Sequence, residues 1–168
     1  QAWRTSHGAW EGVWGWQTEQ AQFSADGAEA FAPFSKTRTQ ALFAIEEFTT
    51  GKASFNVGLR REQVSVESLG NPDPKIDRFE IGSRKFAPQS WAASTAWQVM
   101  PQWRMSANVS RTERAPKDYE LFANGPHIAT AAWEQGNSKL GLEKANSVDL
   151  SAQWQQSTDQ FRIAVFQS

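Results

Sequence analysis

The sequence predicts an all-β fold, an antiparallel up-and-down transmembrane β-barrel of which only part is present, and three observations carry that prediction. Apolar and polar residues alternate with period two, short turns alternate with long Gly- and Pro-rich connections, and Trp residues fall on the apolar side of the alternation. Successive side chains of a strand point to opposite faces, so the alternation marks a sheet with one apolar and one polar side. Tight connections at one end and extended ones at the other are the pattern of outer-membrane barrels. Indole rings, apolar in body and polar at the N–H, suit the level of lipid headgroups.

The first alternating stretch, Trp10 to Phe23, sets Trp10, Trp14 and Trp16 against Glu11, Gln17 and Glu19. The second sets Ala41, Phe43 and Ile45 against Gln40, Ala44 and Glu46, and the third Ala53, Phe55, Val57 and Leu59 against Ser54, Asn56, Gly58 and Arg60. Two more follow, with Trp91, Ala93, Thr95, Trp97 and Val99 and then Trp103, Met105, Ala107 and Val109 on their apolar sides. The last two carry Val148, Leu150, Ala152 and Trp154, and then Phe161, Ile163 and Val165. About seven strands result, with no helical period between them. Turns at 49–52, 100–102 and 155–159 are short, whereas 24–37, 67–89 and 113–145 are long. An open sheet would leave unpaired strand edges in lipid, so residues 1–168 read as one partial barrel domain, excised from a longer chain.

Composition narrows the function. Nine Trp and eleven Phe accompany a single Tyr, yet mean hydropathy is −0.60, which suits strands with one greasy face. A net charge of −1 gives no basis for nucleic-acid attraction. The absence of Cys removes disulfides and thiolate metal sites. No phosphate-binding loop, nucleophile elbow or His-Glu-x-x-His sequence occurs, and Glu46 and Glu47, as adjacent strand residues, face opposite ways and cannot act as a catalytic pair. An enzyme is therefore not expected. A soluble carbohydrate-binding sheet is the alternative class; it would place its Trp residues on the wet face, away from aliphatic neighbours.

The span from Arg111 to Glu143 is rich in Gly, Pro and Asn and carries three short boxes: Arg114-Ala115-Pro116, Glu120-Leu121-Phe122, and Gly136-Asn137-Ser138-Lys139-Leu140-Gly141-Leu142-Glu143. In this order and spacing they resemble the TonB-dependent receptors of the Gram-negative outer membrane. That resemblance implies a large barrel filled by an N-terminal plug domain, neither the plug nor the terminal strands lying in this chain. It further implies outer-membrane lipid around the barrel, TonB engaged through the plug, and an external ligand with no resident cofactor.

Asn124-Gly125-Pro126-His127-Ile128-Ala129-Thr130 resembles the zinc- and metal-uptake subgroup, which points to a metal ion or metal chelate as ligand. Haem or siderophore uptake is the alternative within the family, since a His also lies between these boxes in haem receptors. Here Glu113 stands where the haem-type box has Phe, which weighs against haem. His127, Asp118, Glu120 and Glu134 are the candidate ligand-binding residues of the external loop, zinc accepting mixed nitrogen and oxygen donors. His7, placed on the external side, is a second candidate metal ligand. Arg114, Pro116, Gly136, Asn137, Leu140 and Glu143 are expected to be structural, the charged pair pinning the loop and Pro116 fixing its path.

Overall fold

A computed structural model describes residues 1–168, the side chain of Thr130 excepted. Eight long strands run in antiparallel order: β1 (Ala2–His7), β2 (Trp10–Phe23), β3 (Phe34–Thr50), β4 (Ala53–Gly70), β6 (Gln89–Met100), β7 (Trp103–Arg114), β10 (Glu143–Gln156) and β11 (Asp159–Gln167). The short strand β5 (Gly82–Phe86) pairs with the upper part of β4. A helical turn, α1 (Asp118–Phe122), and a separate hairpin, β8 (Asn124–His127) with β9 (Ala132–Gln135), occupy the connection between β7 and β10. The all-β, up-and-down, partial-barrel architecture expected from the sequence is the one observed. It holds one more long strand than the periodicity showed. Trp3 is the one large apolar side chain of β1, so alternation there is faint, and the pairing of Ala2–His7 with Trp10–Gly15 defines the strand.

Register assigns every strand residue to a face, because directly opposed residues share one. Trp154 opposes both Phe161 and Trp103. Two pleats further, Leu150 opposes Val165 and Ala107, Ala107 opposes Thr95, and Thr95 opposes Phe55. Phe55 opposes Phe48, and Phe48 opposes Trp10. The other face is polar. There Asn108 Nδ2 donates to Asp149 Oδ2 at 2.9 Å, the Ser106 and Ser151 hydroxyls lie 2.7 Å apart, and Arg60 Nε donates to Glu62 Oε1 at 2.6 Å.

The ladder corrects one sequence expectation. On β3 the apolar face carries Leu42, Ala44, Glu46 and Phe48, which oppose Arg61, Leu59, Val57 and Phe55. Ala41, Phe43 and Ile45 belong to the polar face, opposite the side on which the periodicity set them. The physical reason is that β3 is apolar on both sides over these residues, so period two alone has no preferred phase. Glu46 consequently lies on the apolar face.

The strands reach well past the apolar band. β3 has 17 residues and β4 has 18, whereas a tilted strand crosses hydrocarbon with about 9–11. Beyond Leu42 and Leu59 the formerly apolar face turns polar, with Gln40 and Arg38 opposite Gln63 and Ser65. The opposite face becomes apolar there: Val64 and Val66 are buried beneath Leu121 and Phe122 of α1, with Phe86 and Ala115 against them. A second cluster, Ala30, Ile76 and Phe79, joins the two other long connections. The buried core therefore sits at the long-loop end. At the other end the turns are tight, Gly8 and Gly51 adopting φ of 63° and 53° where a side chain would be strained.

With spin labels at single sites in the bilayer-reconstituted protein, Leu42 and Leu59 should be reached by a quencher carried on lipid chains, and Phe43 and Ile45 should not. Quenching of the latter pair would invert the register-based assignment.

Candidate functional site

Three long connections fold together over the polar face, and hydrogen bonds to main-chain carbonyls tie them. Arg78, from the β4–β5 connection, donates through Nε to Asn124 O at 2.7 Å and through Nη2 to Ala28 O at 3.1 Å and Ala30 O at 2.5 Å. Asn124 Nδ2 returns a bond to Arg78 O at 2.8 Å, and its main-chain N–H donates to Phe31 O at 2.9 Å. One guanidinium thus fixes both other connections, a role suited to its planar array of donors. Arg84 on β5 adds a second tie, donating to Ser138 O and, at 3.3 Å, to Leu140 O.

The family-like boxes sit in the base of this assembly. Arg114 lies between two carboxylates, with Nη1 2.8 Å from Glu120 Oε2 and Nη2 2.5 Å from Glu143 Oε2. Glu120 Oε2 also accepts the Lys117 main-chain N–H at 2.7 Å, so one side chain caps α1 and anchors it to the end of β7. Asp118 accepts the buried Ser35 hydroxyl at 2.5 Å and fixes the other edge of α1 to β3. Pro116 is buried at the entry to the helical turn. Gly136 N donates to Ala123 O at 2.7 Å and Asn137 N to Glu120 O at 2.8 Å, closing the loop on α1. Asn137 Oδ1 accepts the Lys139 N–H at 2.9 Å, turning the chain toward Leu140 and Glu143.

His127 stands at the end of β8, above this base. Its Nδ1 is 2.5 Å from Glu134 Oε1 on β9, and its ring stacks on Phe31 with centroids 4.8 Å apart and planes at 22°. Phe31 in turn meets Phe23 edge-on at 6.4 Å. Exposed Ile128 and Trp133 flank the pair, and Trp133 Nε1 donates to Asn124 Oδ1 at 3.1 Å. The backbone of β8 approaches the β2–β3 connection so closely at Gly125 that a methyl group would lie 2.8 Å from the Phe31 Cα.

Of the four candidate ligand residues, the fold brings His127 and Glu134 together and holds Asp118 and Glu120 in separate pairings beneath them. Among the described residues no group of three His, Asp or Glu is arranged to hold a metal ion. His7 lies elsewhere. It ends β1 opposite Trp10, at the same end as the Thr50–Ala53 turn and a strand's length from His127. The placement expected for it on the side of the long connections is not the one observed, because β2 starts at the tight-turn end, Trp10 opposite Phe48, and reaches the 24–37 connection only at Phe23. Arg78 and Phe31 escaped the sequence reading, since neither sits in a box nor in a periodic stretch.

Gly136 is a steric requirement of this base: a methyl group there would lie 2.7 Å from the Leu121 carbonyl carbon and the Phe122 nitrogen. Gly136→Ala should cost about 1–3 kcal/mol of loop docking, read as faster hydrogen exchange at the Asn137 and Ala123 amides with β6 and β7 unchanged. Acid should loosen the same contact. Hydrogen bonding to Arg114, then the Lys117 amide, lowers the Glu120 pKa below its ordinary 4.5. A depressed carboxylate stabilises the fold above its unfolded value and loses that contribution as pH falls through the folded one. Protease nicking of residues 115–142 should therefore stay constant above about pH 4.5 and rise below it, and Glu120→Gln should flatten the profile.

The sequence matches, over residues 1–168, the family described as TonB dependent receptor-like, beta-barrel. Among solved structures, the fold is similar to that of a protein named copper transporter OprC, with a TM-score of 0.72 at 14% identity, covering 97% of this chain and 28% of that one. At that identity the likeness speaks to fold, and the chain spans well under a third of that transporter's length. The strand order, the alternating faces and the match along the whole sequence agree: this chain belongs to the TonB-dependent receptor β-barrel family.

Proposed function

We propose that the chain forms part of the wall and outer vestibule of a receptor in the Gram-negative outer membrane. That receptor takes up a metal chelate, zinc being the favoured metal, in a TonB-dependent manner through a plug domain outside this sequence. The apolar face meets lipid, the polar face lines the lumen, and the gathered long connections face the outside. The observation that carries the reading is the His127–Glu134 pair, held at 2.5 Å across the β8–β9 hairpin of the loop assembly. An imidazole that ligates a metal commonly has its other ring nitrogen bonded to a carboxylate, which orients the ring and raises its basicity. A single such pair supplies too few donors to enclose a bare ion, since structural zinc takes four. A chelate that brings its own donors and leaves one position open suits it better, and the Phe31, Ile128 and Trp133 surfaces suit the organic part of such a ligand. The OprC resemblance, a protein whose name specifies copper, is compatible with metal cargo.

His127→Ala in the full receptor should weaken chelate binding about 10- to 100-fold, the loss typical of removing a ligand or its orienting partner. Glu134→Gln should weaken it less, and Asp118→Asn should leave it unchanged. Calorimetry with a zinc chelate, a copper chelate and haem compared on one preparation would decide the cargo. Equal affinity of wild type and His127→Ala for every one of them would remove the proposed site.

A further inference from the structure

The lipid-facing side of β1, β2 and β3 holds an ionisable residue within its apolar band. Glu46 opposes Gly12 on one side and Val57 on the other, and Gly12 opposes Thr5. The carboxylate lies over Gly12, where any side chain would overlap it, and reaches the Thr5 hydroxyl, with Oγ1 3.0 Å from Oε1 and 3.1 Å from Oε2. Aromatic pairs flank this slot along the strands. Trp10 and Phe48 have ring centroids 4.9 Å apart on the side of the tight turns, and Trp3 and Trp14 stack at 4.6 Å on the other. A hydroxyl has one proton to give, so Thr5 answers a fraction of the roughly four acceptor sites of a carboxylate. Among the described residues no Lys, Arg or His forms an ion pair with Glu46.

An ionisable group facing hydrocarbon is costly and implies a partner. We propose that the Thr5–Gly12–Glu46 slot binds the ammonium headgroup of a phospholipid in the leaflet next to the tight turns. Charge complementarity selects a cation, and indole walls on either side of the slot attract one through their ring faces. Depth selects a lipid. Glu46 lies four residues from Thr50, about 10 Å along the membrane normal for a strand tilted near 40°, within reach of headgroups drawn slightly inward. The slot depends on the membrane-facing assignment made above.

The test uses the full receptor, purified in mild detergent with equal amounts of phosphatidylethanolamine and phosphatidylglycerol of matched acyl chains, with retained lipid read by native mass spectrometry. Wild type should retain phosphatidylethanolamine about fivefold over phosphatidylglycerol, the scale of a partly exposed cation–aromatic contact. Glu46→Gln should abolish the preference, and Trp10→Leu, which keeps the carboxylate, should reduce it. Glu47→Gln, on the opposite face, should leave it intact. Insertion of the wild type into vesicles of these lipids with no preference between them would overturn the slot alone. Failure to insert at all would overturn the membrane assignment with it. A dimer that disappears in Glu46→Gln would replace the lipid with a protein cation as the occupant and so sink the proposal.

Discussion

Cross-strand register governs this molecule because each strand offers two faces and a shift of one residue exchanges them. In an antiparallel sheet that must pass through hydrocarbon, every backbone N–H and C=O finds its partner in the neighbouring strand, and no water forgives a slip. The continuous pairing from β1 to β11 therefore commits the alternate side chains of all the strands to one common face at once. The row from Val165 through Leu150, Ala107, Thr95, Phe55 and Phe48 to Trp10 has one side in common for that reason. So do Thr5 and Glu46, which meet across β2 only because they share a face and Gly12 lies between them.

The same ladder explains how an outer vestibule is built on the sheet. Above the band the apolar side chains exchange faces along one uninterrupted strand, from Phe55, Val57 and Leu59 to Val64 and Val66 on β4. The strand keeps its hydrogen bonds while its inner face passes from polar side chains to the packed loop cluster of Leu121 and Phe122. The loops then require polar ties, since irregular backbone carries donors and acceptors that no ladder satisfies. Arg78 supplies three such bonds, and Arg114 binds a carboxylate from α1 and another from β10. The result is a set of three long connections held in one arrangement by their own polar ties.

What was legible in the sequence follows from these physics. The lipid band of β4, β6, β7, β10 and β11 was legible because one face there is apolar and the other polar. The phase of β3 was not, because Phe43 and Ile45 answer Leu42 and Ala44 across the strand and only the partner's register separates them. The outer ends of β3 and β4, residues 34–37 and 67–70, read as loop, since the face exchange breaks the alternation where the strands leave the band. β1 gave no alternation to read, because Trp3 is its one large apolar side chain. The boxes around Arg114 and Gly136 were visible as positions, yet the partners of Asp118 and Glu120 depend on contacts 83 and 6 residues apart that no local pattern encodes. Arg78 gave no local signal at all, because its value lies entirely in three carbonyls contributed by other segments.

The two ends of the barrel wall handle polar groups by opposite means, and the difference follows from their solvents. At the outer end, charges are numerous and mutually paired, as with Arg114 among Glu120 and Glu143, because water and a second charge are both at hand. Such pairs contribute modestly when exposed, and their value here is geometric, holding α1 and the returning strand in one place. Among the described residues Glu46 makes no ion pair, and its carboxylate accepts the Thr5 hydroxyl in its place. Low dielectric makes an incompletely answered carboxylate expensive and any cation that reaches it correspondingly well held. The glycine beneath it lets the carboxylate lie flat on the sheet, and an aromatic pair stands on either side of it along the strands. The register that sets β1 beside β2 is thus also what assembles a polar slot in the face the sheet turns to lipid.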